Sequence, residues 1–293
     1  MFFQHKIDRI LTWIFRLILV FITLIVLKYV LWIFVWDRYP VPTESMYPTI
    51  RPGDRIMVNK LIFGARIYRS TDFIADTSEP RVFRMPGWRN LKHNDIVVFN
   101  FPNIGEQGIW FRINQAFVKR IVGLPGDTLS VAGGFYRIAG RSDTVGYLPA
   151  QRIIARLSDD NVLSNPNRIY PWCMPQWNIR DFGPVYVPRS GAMVRLDSVS
   201  YWLYRPIIQR ETGCSVTTDS TGVFRIDGHP VTHYRFRENY YFVAGDNALS
   251  SFDSRYFGFV PENYIVGVAT RIWDSHDPVT GERQWSRYGK RLH

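Results

Sequence analysis

The sequence predicts a mainly β protein, in which a single N-terminal transmembrane helix is followed by a β-rich domain with a large inserted second domain. Three observations support this fold class. An apolar run occupies residues 11–36, short runs rich in β-branched and aromatic residues fill most of the remainder, and residues 131–238 interrupt the regular spacing of these runs. With 46% hydrophobic and 21% charged residues, the composition also excludes a disordered chain.

The apolar run at residues 11–36 predicts a membrane anchor. Its only charges are Arg16 and Lys28, and as a helix it would be about 39 Å long, more than the roughly 30 Å hydrocarbon core of a bilayer. A cleaved signal peptide has a shorter apolar core followed by small residues, whereas this run leads into WDRYPVPTESM. The basic segment 1–10 before the run favours a cytoplasmic N-terminus, with residues 38–293 on the other side.

The excess of basic residues indicates an anionic partner. Lys and Arg number 36 against 25 Asp and Glu, which gives a formal net charge of +11. Next to a membrane anchor, this charge favours an anionic lipid membrane over nucleic acid, because the chain shows no aromatic-basic RNA motif and no helix-turn-helix pattern. Cys173 and Cys214 form either one disulfide or two free thiols, and the oligomeric state stays open.

Beyond the anchor the sequence reads as β structure. Helical periodicity is nearly absent there, with RIIARLSDD at residues 152–160 as a weak exception. The expected strands lie in runs bounded by Gly, Pro, Asn and Asp, at residues 55–63, 95–101, 116–122, 134–140, 201–208, 223–228, 234–245 and 264–273.

These runs divide the chain into parts of different regularity. We expect one β domain built from residues 39–130 and 239–275, with residues 131–238 inserted as a second, non-catalytic domain. Residues 64–90 are expected to form a long loop. The basic tail at residues 276–293 has no function that its composition assigns.

The stretch PTESMYPT at residues 42–49 presents a candidate nucleophile, Ser45, between two prolines that stiffen the segment. A serine hydroxyl needs a neighbouring base. None of the six histidines is well placed to be that base: His93 sits in a turn, for example, and the proline in HPVTH (229–233) spoils a helical metal pair. No G-x-S-x-G elbow surrounds Ser45 either.

Lysine is the better candidate for the base. In AFVKRIVGLPGD, strand alternation puts Lys119 on one face with Phe117 and Ile121. Burial on such a face disfavours the ammonium form and lowers the lysine pKa, which gives a neutral amine able to accept a proton. The alternative is an ordinary strand, in which Lys119 reaches the edge and Arg120 faces solvent.

The stretch SFDSR offers two hydroxyls, a carboxylate and a guanidinium within five residues. Asp253 and Arg255 could form a bidentate pair that leaves Ser251 free to point at the catalytic amine. The alternative is a surface salt bridge with no further role.

Taken together, these segments resemble the bacterial type I signal peptidases, which are membrane-anchored Ser–Lys proteases. Four motifs match in family order, namely PTESMYPTIRPGD, KHNDIVVFNFP, FVKRIVGLPGDTL and GDNALSSFDSRYFGFVP. The resemblance implies a catalytic β domain on the outer face of the bacterial plasma membrane. It also implies hydrolysis of preprotein signal peptides after small residues (A-x-A), with no metal and no organic cofactor.

The resemblance assigns roles to individual residues of this sequence. Ser45 would be the nucleophile and Lys119 the general base. Ser251 would orient the lysine amine, while Asp253 and Arg255 brace the site. The oxyanion hole would combine the Ser45 backbone N–H with the hydroxyl of Thr43, where serine is frequent in the family.

Two further departures from the family pattern are Asn94, where glycine is common, and Ala248-Leu249, where a charged pair is common.

The substrate is expected to lie extended beside the Ser45 segment, with shallow pockets for small side chains. Met46 and the GIWF stretch at residues 108–111 are candidates for contact with substrate or lipid, with core packing as the alternative.

Three other functions use some of the same features. A self-cleaving repressor-type protease shares the Ser–Lys pair but would carry a DNA-binding domain in place of the anchor. A specialised Ser–Lys membrane protease would serve a dedicated substrate set. A catalytically silent, membrane-tethered β scaffold would keep only the fold.

Overall fold

The computed structural model describes residues 2–69, 81–105, 108–159, 169–171, 174, 176–219 and 222–293. Its first element is helix α1, Phe2–Phe34. The part Arg9–Phe34 has a mean hydropathy of 2.7 and none of its most apolar stretch is buried in the protein. It is the one helix among the described residues that is long and apolar enough to span a membrane, and it ends two residues before the predicted boundary.

The centre of the molecule is a seven-stranded antiparallel sheet, with strands named in chain order. Its spatial order is β1-β2-β17-β5-β6-β15-β16. All seven strands come from the two stretches expected to form the catalytic domain and its junction with the anchor: β1 Trp36–Pro40, β2 Asp54–Asn59, β5 Ile96–Gly105, β6 Gly108–Gly123, β15 Tyr240–Ala244, β16 Val260–Pro261 and β17 Ile265–Ser275.

Four smaller antiparallel sheets surround this one. A hairpin of β3 and β4 occupies part of the expected loop at residues 64–90, so the loop prediction was wrong there, while residues 70–80 lie outside the described part. The remaining strands belong to the inserted region or its border. The smaller sheets are β3 Arg66–Tyr68 with β4 Val82–Arg84; β7 Thr128–Ala132 with β8 Phe135–Ile138 and β9 Phe182–Tyr186; β10 Met193–Arg195 with β14 His233–Arg235; and β11 Val216–Thr218 with β12 Phe224–Ile226 and β13 His229–Val231.

Three further α-helices are described, α2 Leu148–Ala155, α3 Ser198–Thr212 and α4 Ser254–Phe257, together with short 3-10 helices at Glu262–Tyr264 and Trp285–Arg287. The strand predicted at residues 201–208 was wrong, because this stretch lies inside α3. Asp197 and Ser200 form a capping box at the start of α3, and Gly213 ends the helix in a left-handed conformation. These caps and the burial of one apolar face outweigh the strand preference of the aromatic and β-branched residues.

The hydrophobic interior consists of two clusters of buried side chains. The larger cluster joins the central sheet to the inserted region, since Phe99 and Phe242 of the sheet pack in the same cluster as Ile154, Phe182 and Tyr204. Residues 131–238 are therefore inserted in sequence, but their described part does not enclose a separate hydrophobic core.

The smaller cluster lies on the other face of the sheet, and the C-terminal tail closes it. Leu292 is buried in this cluster. Arg287 is buried as well and forms an ion pair with Asp54 through two of its nitrogens. The tail at residues 276–293 thus packs back on β2 and β17.

Candidate active site

Ser45 lies in the connection between β1 and β2, close to the surface but 8% exposed. Met46 and Ile50 on either side of the turn are fully buried in the smaller core. The Ser45 carbonyl accepts a hydrogen bond from the Asn247 backbone N–H at 3.0 Å, and the Glu44 carbonyl accepts one from the Asn247 side chain at 3.2 Å. Core packing and the loop after β15 therefore fix the position of the serine.

Lys119 lies on β6, opposite Val97 of β5, and is 4% exposed. Its Nζ is 2.6 Å from Ser45 Oγ, although the two residues are far apart in sequence. Burial lowers the pKa of Lys119 to about 8; Asp253 works against this shift and Arg255 adds to it. Arg120 is also buried, at 5% exposed, so the alternative of an ordinary strand with solvent-facing basic residues is wrong.

The carboxylate of Asp253 is the centre of the supporting network and is fully buried. It accepts hydrogen bonds from Arg255 Nε at 2.9 Å and Nη2 at 2.8 Å, and from the Gly245 N–H at 2.9 Å. Burial alone would raise the pKa of Asp253, but the guanidinium of Arg255 outweighs it and holds the pKa below its ordinary value. The alternative of a surface salt bridge is therefore wrong: the pair is inside the protein.

Ser251 joins this network through its hydroxyl, which donates to Asp253 Oδ2 at 2.8 Å. Among the described residues, no hydrogen bond joins Ser251 to Lys119. Ser251 nevertheless lies beside the Ser45 segment: a Cβ on Gly245 would come within 2.1 Å of Ser251 Oγ and 2.5 Å of the Ser45 carbonyl oxygen. Only glycine fits between these two residues.

Thr43 is exposed, and its Oγ1 lies 3.5 Å from Ser45 Oγ. The structure thus brings the Thr43 hydroxyl to the edge of the candidate nucleophile. This position suits a donor to an oxygen bound in front of Ser45.

Sequence reasoning missed the role of Arg120 and Asp246. Arg120 Nε and Nη2 donate to the two carboxylate oxygens of Asp246 at 2.7 and 2.6 Å, and this pair is buried. Arg120 Nη1 also donates to the carbonyls of Asn94 at 3.0 Å and His293 at 2.8 Å. The GDN sequence predicted only a turn, and the strand pattern gave Arg120 no partner.

His93, the next candidate for the base, is engaged elsewhere. Its Nε2 lies 2.6 Å from Asp127 Oδ2, which also accepts a hydrogen bond from the Leu124 N–H. The pair stabilises the turn after β6. Lys119, and not His93, is the basic side chain that the structure places on the Ser45 hydroxyl.

Core packing accounts for most of the proposed apolar contact residues. Met46 is 0% exposed, so its side chain does not line a surface that a substrate can reach. Ile109 and Phe111 of the GIWF stretch are buried as well, and Trp110, at 43% exposed, is the member of that stretch that faces outward.

The other expectations concern cysteines and metals. Cys173 lies outside the described residues, and Cys214 is half-buried with a free thiol. In the described part of the chain, no group of three or more His, Cys, Asp or Glu side chains could hold a metal ion.

Comparison with known proteins identifies the family of the chain. The model of the family described as signal peptidase, peptidase S26, matches residues 14–273. The chain belongs to this family. The resemblance drawn from the four motifs is thereby confirmed, and the protein is a peptidase with an N-terminal membrane anchor.

Individual relatives agree with this assignment. The signal peptidase I of Buchnera aphidicola subsp. Baizongia pistaciae is 27% identical over 274 residues, which cover 86% of this chain and 74% of the relative. That of Buchnera aphidicola subsp. Acyrthosiphon pisum is 24% identical over 300 residues, covering 97% and 82%. The solved structure of a signal peptidase I from Enterococcus faecalis V583 is 25% identical and covers 62% of this chain and 98% of its own, with a TM-score of 0.30.

Proposed function

We propose that this chain is a membrane-anchored serine endopeptidase that removes signal peptides from exported preproteins after small residues (A-x-A). Ser45 is the nucleophile and Lys119 the general base. The observation that carries this proposal is the buried contact of 2.6 Å between Lys119 Nζ and Ser45 Oγ. A lysine with a pKa near 8 supplies a neutral amine at mildly alkaline pH.

The chemistry proceeds in two steps. The neutral amine of Lys119 takes the proton of Ser45 as Oγ attacks the scissile carbonyl, and the resulting ammonium donates that proton to the departing amine. Water then attacks the acyl-enzyme with Lys119 again as the base, which frees the signal peptide and restores the serine. The Ser45 N–H and the Thr43 hydroxyl stabilise the oxyanion in both steps.

Asp253 and Arg255 set the charge around the lysine, and Ser251 is joined to them. Because Arg255 binds both carboxylate oxygens of Asp253, the negative charge closest to the amine is largely compensated. The pKa of Lys119 therefore stays low even though a carboxylate is near. Ser251, held by Asp253, keeps a hydroxyl oxygen available on this side of the site.

The position of the anchor fits this substrate. Helix α1 ends at Phe34, and β1 leads directly from it toward Ser45. A signal peptide is cut just beyond its apolar core, so its cleavage site lies at a similar distance from the bilayer. The basic segment before α1 supports a cytoplasmic N-terminus and an active site on the outer face, where the substrate lies extended beside the Ser45 segment.

The test is cleavage of a preprotein with an A-x-A site by the detergent-solubilised full chain, compared with Ser45→Ala and Lys119→Met. The matched controls are Ser190→Ala and Lys92→Met, which change an exposed serine and an exposed lysine outside the site. We expect one cut after the small residue by the native enzyme and both controls, and none by the two site variants.

Other results would contradict the proposal in different ways. Cleavage that survives Lys119→Met would require another base for Ser45. No cleavage by the native enzyme, with a folded protein, would leave a dedicated substrate set or a silent scaffold as the function.

A further inference from the structure

An open groove lies next to Ser45. One wall is the segment Glu44–Pro48 and the other is the N-terminal part of α2, with residues 246–250 forming the floor. The groove is continuous with the active site, because Glu44 precedes Ser45 and Asn247 is hydrogen-bonded to the Ser45 carbonyl.

The anchor gives this groove a direction. Lys60 donates to the carbonyl of Trp32 at 2.9 Å and pairs with Asp37, which ties the end of α1 to the end of β2. The end of β1 at Trp36 is therefore near the membrane and the end at Pro40 is farther away. Because Ser45 follows Pro40 in the chain, β1 separates the groove beside Ser45 from the end of α1. A preprotein that reaches Ser45 from the bilayer side would continue into its mature sequence there.

The exposed side chains of the groove are mostly apolar. Tyr47, Ile153 and Leu249 are 47%, 55% and 53% exposed, and all three line it. The carboxylate of Asp246 is neutralised by Arg120, so Glu44 contributes the uncompensated negative charge. Such a groove favours an apolar segment and disfavours an acidic one.

The α2 wall is held by hydrogen bonds to β8 and to the segment that precedes the helix. Gln151 accepts a hydrogen bond from the Tyr136 N–H at 2.9 Å and donates to the Val145 carbonyl at 2.8 Å, which holds the inner face of α2. The Gly146 N–H donates to the Asn94 side chain at 2.7 Å. Asn94 has a positive φ of 70°, a conformation also open to glycine, so its side chain adds a brace that glycine would not supply.

We propose that this groove binds the first residues of the mature protein, downstream of the scissile bond, and selects apolar side chains there. The inference depends on the proposed function, because it needs a preprotein cut at Ser45. It gives part of the inserted region, α2, a role in choosing substrates. It also places Leu249, a departure from the family pattern, on the binding surface, while Asn94, another departure, braces Gly146 just before α2.

The experiment uses two peptides that share the same A-x-A sequence before the cut and differ only after it. One has leucine at the second and third mature positions and the other has aspartate. For the full-length enzyme in detergent, we expect kcat/KM for the leucine peptide to exceed that for the aspartate peptide about tenfold. Leu249→Lys and Ile153→Lys should each bring this ratio to about one or below, because a cation in the groove attracts aspartate.

The ratio cancels any loss of activity common to both peptides. Val199→Lys, which adds the same charge at an exposed apolar position on α3, should leave the ratio as in the native enzyme. Asn94→Gly, which keeps the backbone conformation but removes the brace, should lower the ratio mainly through KM. Equal cleavage of both peptides by the native enzyme would overturn the role of the groove in selecting apolar residues and leave the proposed function standing. Cleavage of neither peptide would overturn both the role of the groove and the proposed function.

Discussion

Lys119 and Arg120 are neighbours on β6 and are buried to almost the same extent, at 4% and 5% exposed, yet their surroundings differ. On one face of the strand, Arg120 makes two hydrogen bonds to the carboxylate of Asp246. On the other face, Lys119 contacts a hydroxyl, that of Ser45, and its amine lies 5.6 Å from the ring centre of Phe117.

The difference shows how one strand can hold a structural cation and a reactive one. A buried cation matched by a carboxylate keeps its proton and joins elements together. A buried cation that faces a hydroxyl and no free carboxylate is destabilised in its charged form by the loss of water, and the attraction of the Phe117 ring does not replace a carboxylate. The carboxylate of Asp253 could stabilise the charged form of Lys119, but it is already paired with Arg255.

The largest effect on activity should come from replacing Lys119 by the type of cation found at its neighbour, Arg120. Lys119→Arg keeps the positive charge but removes the neutral state, because a guanidinium does not lose its proton in proteins. We expect kcat to fall by about 10⁴-fold or more, the scale seen when a catalytic base is lost. Arg120→Lys keeps a positive charge opposite Asp246 but loses the bidentate geometry. It should retain activity within about tenfold, because Lys119 and not Arg120 contacts the Ser45 hydroxyl. Similar losses of kcat in the two variants, measured by peptide cleavage, would contradict the distinction between a reactive Lys119 and a structural Arg120.

The free energy of unfolding should depend on Arg120 more than on Lys119, which is the reverse of the order expected for activity. Arg120→Met leaves the buried Asp246 carboxylate without its cationic partner and with the Thr49 hydroxyl as its remaining side-chain donor, which costs about 3–5 kcal/mol of the free energy of unfolding. Lys119→Met replaces a desolvated amine by an apolar side chain, so the fold should be as stable as the native protein or more so. Urea unfolding of the two variants measures this, and an Arg120→Met protein of native stability would contradict it.

The hydroxyl of Thr43 lies beside that of Ser45. If its hydroxyl stabilises the oxyanion, Thr43→Val should lower kcat by about 100-fold with little change in KM. Thr43→Ser keeps the hydroxyl and should remain close to native. A Thr43→Val enzyme with native kcat would remove this residue from the oxyanion hole.

The smallest expected effect is that of pH. Because the pKa of Lys119 is lowered to about 8, the neutral amine becomes the main form above that pH, and kcat/KM should rise about tenfold between pH 7 and 9. In the unfolded chain the lysine has an ordinary pKa of 10.5 and binds its proton up to about that pH. The folded state binds fewer protons between these two values, so this residue makes the free energy of unfolding increase with pH in that window.

The sequence was sufficient for the parts of the site whose chemistry is local. Alternation in the β6 sequence put Lys119 on a buried face, and the prolines around Ser45 indicated a fixed hydroxyl. The pairing of Asp253 with Arg255 followed from their spacing. The contact between Lys119 and Ser45 could not be derived from either segment, because it depends on how β1 and β6 are placed in the sheet.

Long-range partners explain the rest of what was missed. Arg120 and Asp246 are 126 positions apart, and no local pattern connects them. The aromatic residues of α3 favour a strand locally, whereas the caps at Asp197 and Gly213 and the packing of Tyr204 stabilise a helix. Residues 131–238 were expected to form a separate domain, but burial in a shared core joins their described part to the sheet.

The central claim is that Lys119 acts as a neutral base on Ser45, and direct titration of its amine tests this claim best. The measurement is the ¹⁵N chemical shift of the Lys119 side chain against pH in the detergent-solubilised full chain, with Lys119→Met used for assignment. We predict a transition near pH 8 that coincides with the rise in kcat/KM. A transition close to 10.5, the ordinary lysine value, in an enzyme that is fully active at pH 8 would contradict the account.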